Sequence, residues 1–365
     1  MRKKKVLFIA NHRLGRSPGQ RFRFEQYLDF LEYNGFECTL SNIISEEDDR
    51  ILYQKGKYLK KAAIELKSHK IRRQDVARSN DFDLIFIFRE ALLTKSVRFE
   101  KAFTASNAKV IFDFDDAIWL PNVSTGNKNL SRLKSTDKIR QVLPLVDLVF
   151  AGNEYLASFA KQYNNSVKVI PTTIDTDYHK PAAPKASTEA ICIGWTGTDT
   201  TRRYLNSIKN ALKSLKEQYK DKIQFKIICD RPWEEPDFEV ENERWSKEHE
   251  IEQLQAIDIG LMPLSDDEWS RGKCGFKALQ YMAVGAVPVV SPVGVNQEIV
   301  KDGKNGFFAN SDQEWINKIG QLIESVDLRK RLGETARESV LKYYSVEAQK
   351  HNYLNYFEEL LNHKN

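Results

Sequence analysis

Residues 272–290 read GKCGFKALQYMAVGAVPVV. Two lysines, two glycines and a cysteine stand directly ahead of an apolar helical pattern, which closes on Gly285 and passes into the β-branched run VPVV. A helix N-terminus carries unsatisfied N–H groups and partial positive charge, so lysines there are unfavourable unless an anion is bound. The run before this stretch, IDIGLMPL (257–264), and the run after it, VPVVSP (287–292), read as strands around the helix. That strand–helix–strand unit decides the fold class.

The same alternation extends along the chain. VLFIA (6–10), ECTL (37–40), LIFIF (84–88), KVIFDF (109–114) and DLVFAG (147–152) are short continuous apolar runs, with a helix expected from about Arg21 to Asn34. A second series holds KVIP (168–171), AICIGW (190–195), QFKIIC (224–229), IDIGLMPL and VPVVSP. Strands apolar on both sides, separated by helical patterns, predict parallel sheets covered on both faces. A length of 365 residues favours two cores over one. The fold class expected is therefore α/β with two doubly wound, Rossmann-like domains, at 1–170 and 188–344. Residues 171–187, PTTIDTDYHKPAAPKAS, read as a linker, and the helical pattern within 345–365 is expected to return to the first domain.

Composition narrows the function classes. A net charge of +5, from 56 basic and 51 acidic residues, is too mild to imply nucleic acid, and no nucleic-acid motif accompanies it. Cys38, Cys192, Cys229 and Cys274 are widely spaced, which disfavours a zinc site or a disulfide framework and fits reduced thiols in the cytosol. The apolar run after MRKKK is too short for a signal peptide, and no run reaches membrane-spanning length, so a cytoplasmic protein is expected. Residues 55–78 carry nine basic and two acidic residues around Tyr58, Leu59, Ala62, Ile64 and Leu66. They read either as a helix on an anionic membrane surface or as a solvated helix face. The acidic stretch Glu234–Glu252 reads as a surface loop leading into a helix.

Several residues suit an anionic ligand. ICIGWTGTDTTRRYL ends a strand in Gly194 and places Gly197, Thr198, Arg202 and Arg203 at a helix start, as a phosphate cradle does; ordinary capping reads the same way. Arg271, Lys273 and Lys277 flank the helix of the opening stretch, where Gly272 and Gly275 permit close backbone approach. Together they suit a diphosphate. In the first domain, NHRLGRSPGQRFRFEQYLDFL puts Gly15, Gly19, Arg21 and Arg23 in and after a loop following the first strand. Asp113, Asp115 and Asp116 end a buried strand, and Arg89 and Glu90 end its neighbour. Asp116 reads equally well as a helix N-cap. Asp266 and Asp267 read as loop residues, and no metal motif stands at a donor strand end.

At this point the chain resembles a known family. GKCGFKALQYMAVGAVPVVSPVG and EIVKDGKNGFFA (298–309), with IGWTGTDTTRRYL, IDIGLMPLSDDEW, VIFDFDDAIW, AGNEYLASFA and VIPTTIDTDYH, look like retaining GT-B glycosyltransferases of family 4, in the subset with a KCxFKxLxYMA core. The resemblance covers most of the chain. It implies two Rossmann-like domains facing a cleft, with a nucleotide-diphosphate sugar held by the second and a glycan or lipid-linked acceptor by the first. Its two glutamates, eight positions apart, fall at Gly272 and Gln280; an amide at Gln280 still suits ribose hydroxyls, whereas Gly272 removes a sugar contact. Its Arg and Lys pair falls near Thr198 and Arg203, so one cation is kept.

By the same resemblance, the donor contacts are Gly197, Thr198, Arg202, Arg203, Arg271, Gly275, Phe276, Lys277, Gln280 and Glu298. The acceptor contacts are Gly15, Gly19, Arg21, Arg23 and Glu90, with Asp115, Asp116 and Lys273 in catalytic positions. The expected reaction is a hexosyl transfer with retention, in surface polysaccharide or lipid-linked oligosaccharide assembly. The departing diphosphate accepts the acceptor proton and domain closure excludes water. No cofactor or metal is expected. A sugar-nucleotide epimerase or hydrolase, and a non-catalytic basic peripheral protein, are the competing readings.

Overall fold

The computed structural model describes residues 2–54, 56–120, 137–183, 190–234 and 237–362. Lys55 of the basic stretch, 184–187 of the linker and 363–365 of the C-terminal segment lie outside the described residues. The chain forms two compact units, Met1–Thr172 with Gln349–Asn365, and Thr173–Ala348.

The first unit is built on β1 (Lys4–His12), β2 (Phe36–Ile44), β3 (Leu84–Phe88), β4 (Lys109–Phe114), β5 (Leu148–Ala151) and β6 (Val167–Val169), all parallel in the order β2-β1-β3-β4-β5-β6. LIFIF of β3 is buried at every position, as a strand covered on both faces must be. KVIP therefore belongs to the first sheet, since Val167 and Val169 pair with Val149 and Ala151. The helix expected from Arg21 to Asn34 is interrupted. Pro18–Arg23 is helical, Phe24 leaves helical geometry (φ −136°, ψ −31°) to stack on Phe8 at 5.2 Å, and Leu28–Tyr33 resumes the helix. Aromatic burial at Phe24 outweighs helix continuity. From the C-terminal helix Val346–Asn362, Tyr353 stacks on Tyr27 at 4.5 Å and Phe357 meets Phe36 edge-on at 5.8 Å.

The second unit holds β7 (Ile191–Thr196), β8 (Ile223–Cys229), β9 (Glu241–Arg244), β10 (Ile259–Met262), β11 (Val287–Val290) and β12 (Phe307–Phe308), also parallel, in the order β12-β11-β10-β7-β8-β9. The acidic stretch is thus partly an edge strand, not only a loop. Glu241 and Glu243 of β9 pair with Lys226 of β8 at 2.9 and 3.2 Å, a charge match that apolar periodicity does not reveal. The described part of 171–187 packs tightly: Thr173, Ile174 and His179 are fully buried, and Ile174 accepts from Val346 N–H at 3.1 Å. Arg337 holds this segment through the carbonyls of Thr176 and His179.

Each sheet changes direction of winding once, at β1/β3 in the first unit and at β7/β10 in the second, where loops diverge and leave a crevice at the carboxyl ends of the strands. The first of these edges is fastened by Arg23, which is fully buried, forms a bidentate pair with Asp113 and also donates to the Ile170 carbonyl. Arg23 therefore does not face an acceptor; its charge is consumed inside the fold.

Removing one member of such a pair leaves an uncompensated buried charge, so Arg23→Met should destabilise by about 3–5 kcal/mol, whereas Arg23→Met with Asp113→Leu should recover most of it. Urea unfolding of the two variants checks this; equal losses would show that the pair does not carry the effect.

Candidate functional site

The second unit gathers cations at its winding switch. β7 ends in Trp195 and Thr196, and the chain turns through Gly197 and Thr198 into the short turn Asp199–Thr201. A Cβ at Gly197 would lie 2.4 Å from the Trp195 ring, so only glycine lets this loop fold against the indole. The other face of the crevice is the helix Phe276–Ala283, preceded by Gly275 in left-handed geometry (φ 68°). Here a Cβ would meet Ile299 at 2.1 Å. One interaction sets the two faces together: the Tyr281 hydroxyl accepts from the Thr196 N–H at 2.9 Å and donates to the Leu261 carbonyl at 3.3 Å. Gly260 makes room for that ring, which a Cβ would approach to 2.2 Å.

On this frame the Lys277 ammonium lies 5.1 Å from the Trp195 ring centroid and that of Lys273 lies 4.8 Å from Trp269. Burial first, and the charge of Lys273 second, lower the Lys277 ammonium to about 7, and no carboxylate among the described residues offsets them. Arg203 is exposed, its guanidinium over the Tyr204 ring at 4.8 Å, and the Tyr204 hydroxyl accepts from Ser270 at 3.0 Å. Lys273, Lys277 and Arg203 thus converge with the Gly197–Thr198 amides on the switch between β7 and β10. Phe276 is half-buried at the helix start, and Glu298 lies exposed on the short helix Asn296–Ile299 that abuts Gly275.

Three donor-contact expectations meet a different arrangement. Arg202 is occupied: it donates to the Arg231 and Pro232 carbonyls, each at 2.9 Å, and pairs with Asp199 at 2.9 Å, so it latches the β7 loop to the β8 loop. Arg271 is exposed and turned to Asp266 at 2.7 Å. Gln280 is buried on the inner face of its helix, with its amide 3.4 Å from Glu250, because helical spacing turns it away from the first turn. Asp267 is a helix cap, accepting from the Ser270 N–H at 2.7 Å.

In the first unit a second cluster forms at the β1/β3 switch. Arg89 ends β3 in left-handed geometry (φ 60°) and its guanidinium holds Asp115 at 2.6 Å and Asp116 at 2.8 Å. A non-glycine residue in this region stores strain that the surroundings must impose. Gly19 belongs to the same place, since a Cβ there would lie 3.4 Å from the Arg89 guanidinium and 3.6 Å from Asp115. Asp116 is therefore an ion-pair member; no described helix starts on it. Gly15 (φ 75°) donates to Glu25 at 2.7 Å, and Gln20 clamps the backbone of His12 on both sides at 2.8 and 2.9 Å. Arg21 is half-buried over the Phe22 ring. Glu90 faces Lys138, which also pairs with Glu100 at 3.0 Å.

Sequence reading assigned no role to Trp195, Trp269, Tyr281 or His12 and gave Arg89 only a position. A lysine four residues after Trp269, and a charged residue directly after LIFIF, were the available signals.

Residues 190–325, which carry the cationic cluster, match the family Glycosyl transferases group 1. Over 91 residues the chain is 30% identical to the D-inositol 3-phosphate glycosyltransferase of Corynebacterium urealyticum, covering 24% of this chain and 20% of that relative's length. A glycosyltransferase from Rickettsia africae superimposes with a TM-score of 0.71 over the whole of both chains at 14% identity. Anabaena HepE in complex with UDP-glucose gives 0.69, covering 97% of this chain and 99% of that one, also at 14% identity. The fold is that of GT-B glycosyltransferases, two Rossmann-like units in one chain.

His12, beside the Arg89 cluster, has its imidazole lowered from 6.5 to about 4, by burial first, with Arg16, Arg13 and Arg89 adding and Asp49 opposing. The unfolded chain then binds a proton that the folded chain refuses, so stability is lost as pH falls from 6.5 toward about 4. His12→Asn should flatten that limb in pH-dependent thermal unfolding; an unchanged slope would exclude His12 as its source.

Proposed function

We propose that the chain is a glycosyltransferase that takes a sugar from a nucleotide-diphosphate sugar bound by the second unit and delivers it to a glycan or lipid-linked acceptor bound by the first. The observation that carries this reading is the set of Lys273, Lys277, Arg203 and the Gly197–Thr198 amides at the β7/β10 switch. A departing diphosphate develops negative charge while the sugar ring becomes positive, so fixed cations at the leaving group lower the barrier most. The Rickettsia glycosyltransferase and HepE, the latter bound to UDP-glucose, support the reading at the level of fold.

On this reading the transfer is a hexosyl transfer with retention, in which the diphosphate accepts the acceptor proton. Asp115 and Asp116, held by Arg89 close to Gly19, order acceptor hydroxyls; Gly15, Arg21 and Glu90 surround them. Diphosphate charge is met by lysine and arginine, so activity should persist in excess chelator. Complete loss that magnesium restores would overturn that point. The helix Tyr58–Ala77 supports a membrane-facing role, with Leu59 at 89% and Leu66 at 72% exposure among outward lysines, although Lys61, Ile64 and Arg72 turn inward. Such a placement fits a peripheral enzyme of surface polysaccharide assembly on the cytoplasmic leaflet. No described helix is long and apolar enough to cross a membrane.

A panel of nucleoside diphosphates tests the donor site by thermal shift. A ligand at a hundred times its Kd should stabilise the fold by about 2.7 kcal/mol. Lys273→Ala and Arg203→Ala should each weaken that ligand by roughly ten- to a hundred-fold, the worth of one charge-assisted hydrogen bond. Unchanged affinity in both variants would remove the cluster from the donor site.

A further inference from the structure

We propose that Lys277 takes up a proton when the diphosphate of a nucleotide sugar enters the second unit, so that donor binding is a proton-coupled event. This rests on the donor site proposed above and adds to it a dependence on pH that the other cations do not confer.

The geometry around Lys277 is that of a cation without a counterion. Its ammonium lies over the Trp195 indole, which is itself closed off on another side by the Gly197 loop. Lys273 is the neighbouring charge, and it raises the cost of a second proton. The charged and titratable groups of the surrounding elements are engaged elsewhere. After β8, Cys229 donates to Asp230 at 3.3 Å, and Asp230 accepts from the Asp199 N–H at 2.7 Å. On the short helix Arg202–Asn206, Arg202 pairs with Asp199 and Arg203 donates to the Tyr204 hydroxyl at 2.8 Å. Before the helix of Lys277, Asp266 holds Arg271 and Asp267 caps the turn. On its own helix, Tyr281 is bound to Thr196 and Leu261. Only the thiol of Cys229 acts on Lys277 in the favourable direction.

A diphosphate placed here supplies the missing negative charge. In the free protein burial and Lys273 hold the ammonium at about 7, so above that pH most molecules carry a neutral amine. Bound anion favours the charged form, and the amine lone pair takes a proton from solvent; no bond of the donor changes in this step. Linkage then fixes the sign. Affinity is independent of pH well below 7 and falls by about ten-fold for each pH unit above it, until the raised value of the bound state is passed. The same residue affects the fold oppositely: between about 7 and 10.5 the unfolded chain binds the extra proton, so its share of stability grows as pH rises through that window.

Calorimetric titration of the full chain with UDP-, GDP- and dTDP-glucose, at pH 8 in HEPES and in Tris, reads the protons exchanged from the change in apparent enthalpy. The phosphates of these probes stay ionised across this range, so an uptake is the protein's. The tightest probe should take up about 0.9 proton per site at pH 8 and about 0.1 at pH 6. Lys277→Arg, which carries its charge at every pH, should bind without uptake, and Lys277→Met should bind weakly without uptake. Thermal unfolding of each variant confirms that it is folded. Tight binding with no uptake, or uptake that survives in Lys277→Arg, overturns the proton coupling alone. Absence of binding by any probe to the wild-type chain overturns the donor site itself.

Discussion

Like charges gathered at a helix start are the constraint around which the second unit is arranged. Lys273 and Lys277 stand together at the first turn of Phe276–Ala283, where the helix dipole is also positive. Folding alone gains nothing from this. Two tryptophans soften the repulsion, since an indole face attracts a cation by about 0.5–2 kcal/mol. Trp195 and Trp269 lie under one ammonium each. The remainder is carried by the rest of the unit, and the second unit has the buried core for it, with Trp195, Trp233, Trp315 and the aliphatic residues of β7, β8 and β11 in one cluster.

That core also fixes the position of the charges. Gly194 and Gly260 sit in central strands where a Cβ would strike Ile257 at 2.3 Å and Tyr281 at 2.2 Å. Strand glycines normally weaken a sheet, yet here they allow the helix to lie close to the strands, with the Tyr281 hydroxyl reaching Thr196. A shift of the helix by the size of a methyl group would part the lysines from the Gly197 loop. Close backbone approach, rather than side-chain chemistry, therefore sets the geometry of the cluster.

The sequence displayed this division unevenly. Continuous apolar strands such as LIFIF and VPVV, and the glycine-bounded helix between IDIGLMPL and VPVV, were legible because burial on both faces leaves a pattern in the residues themselves. β9 was not, because an edge strand stabilised by Glu241 and Glu243 against Lys226 carries no apolar period. The break at Phe24 was hidden for another reason: it depends on Phe8 and Asp113, which are distant in sequence. In the site, charge type and loop position were readable for Lys273, Lys277 and Arg203. Which arginines were already occupied was not. Arg23, Arg202 and Arg271 look the same in sequence as Arg203, and only tertiary partners separate them.

The two winding switches differ in a way that bears on their ligands. At β1/β3, positive and negative groups are matched locally: Arg23 meets Asp113, and Arg89 is shared by Asp115 and Asp116. A neutral polyhydroxyl ligand suits such a place, because it can both donate to carboxylates and accept from a guanidinium without disturbing the balance. At β7/β10, Lys277 has no such match, and an anion of more than one charge is needed to complete the site. Strain follows the same division. Arg89 is held in left-handed geometry by its two aspartates, so the first site is preorganised by internal pairing. The second keeps its electrostatic cost until a ligand arrives, which makes binding of that ligand the larger source of stabilisation of the two.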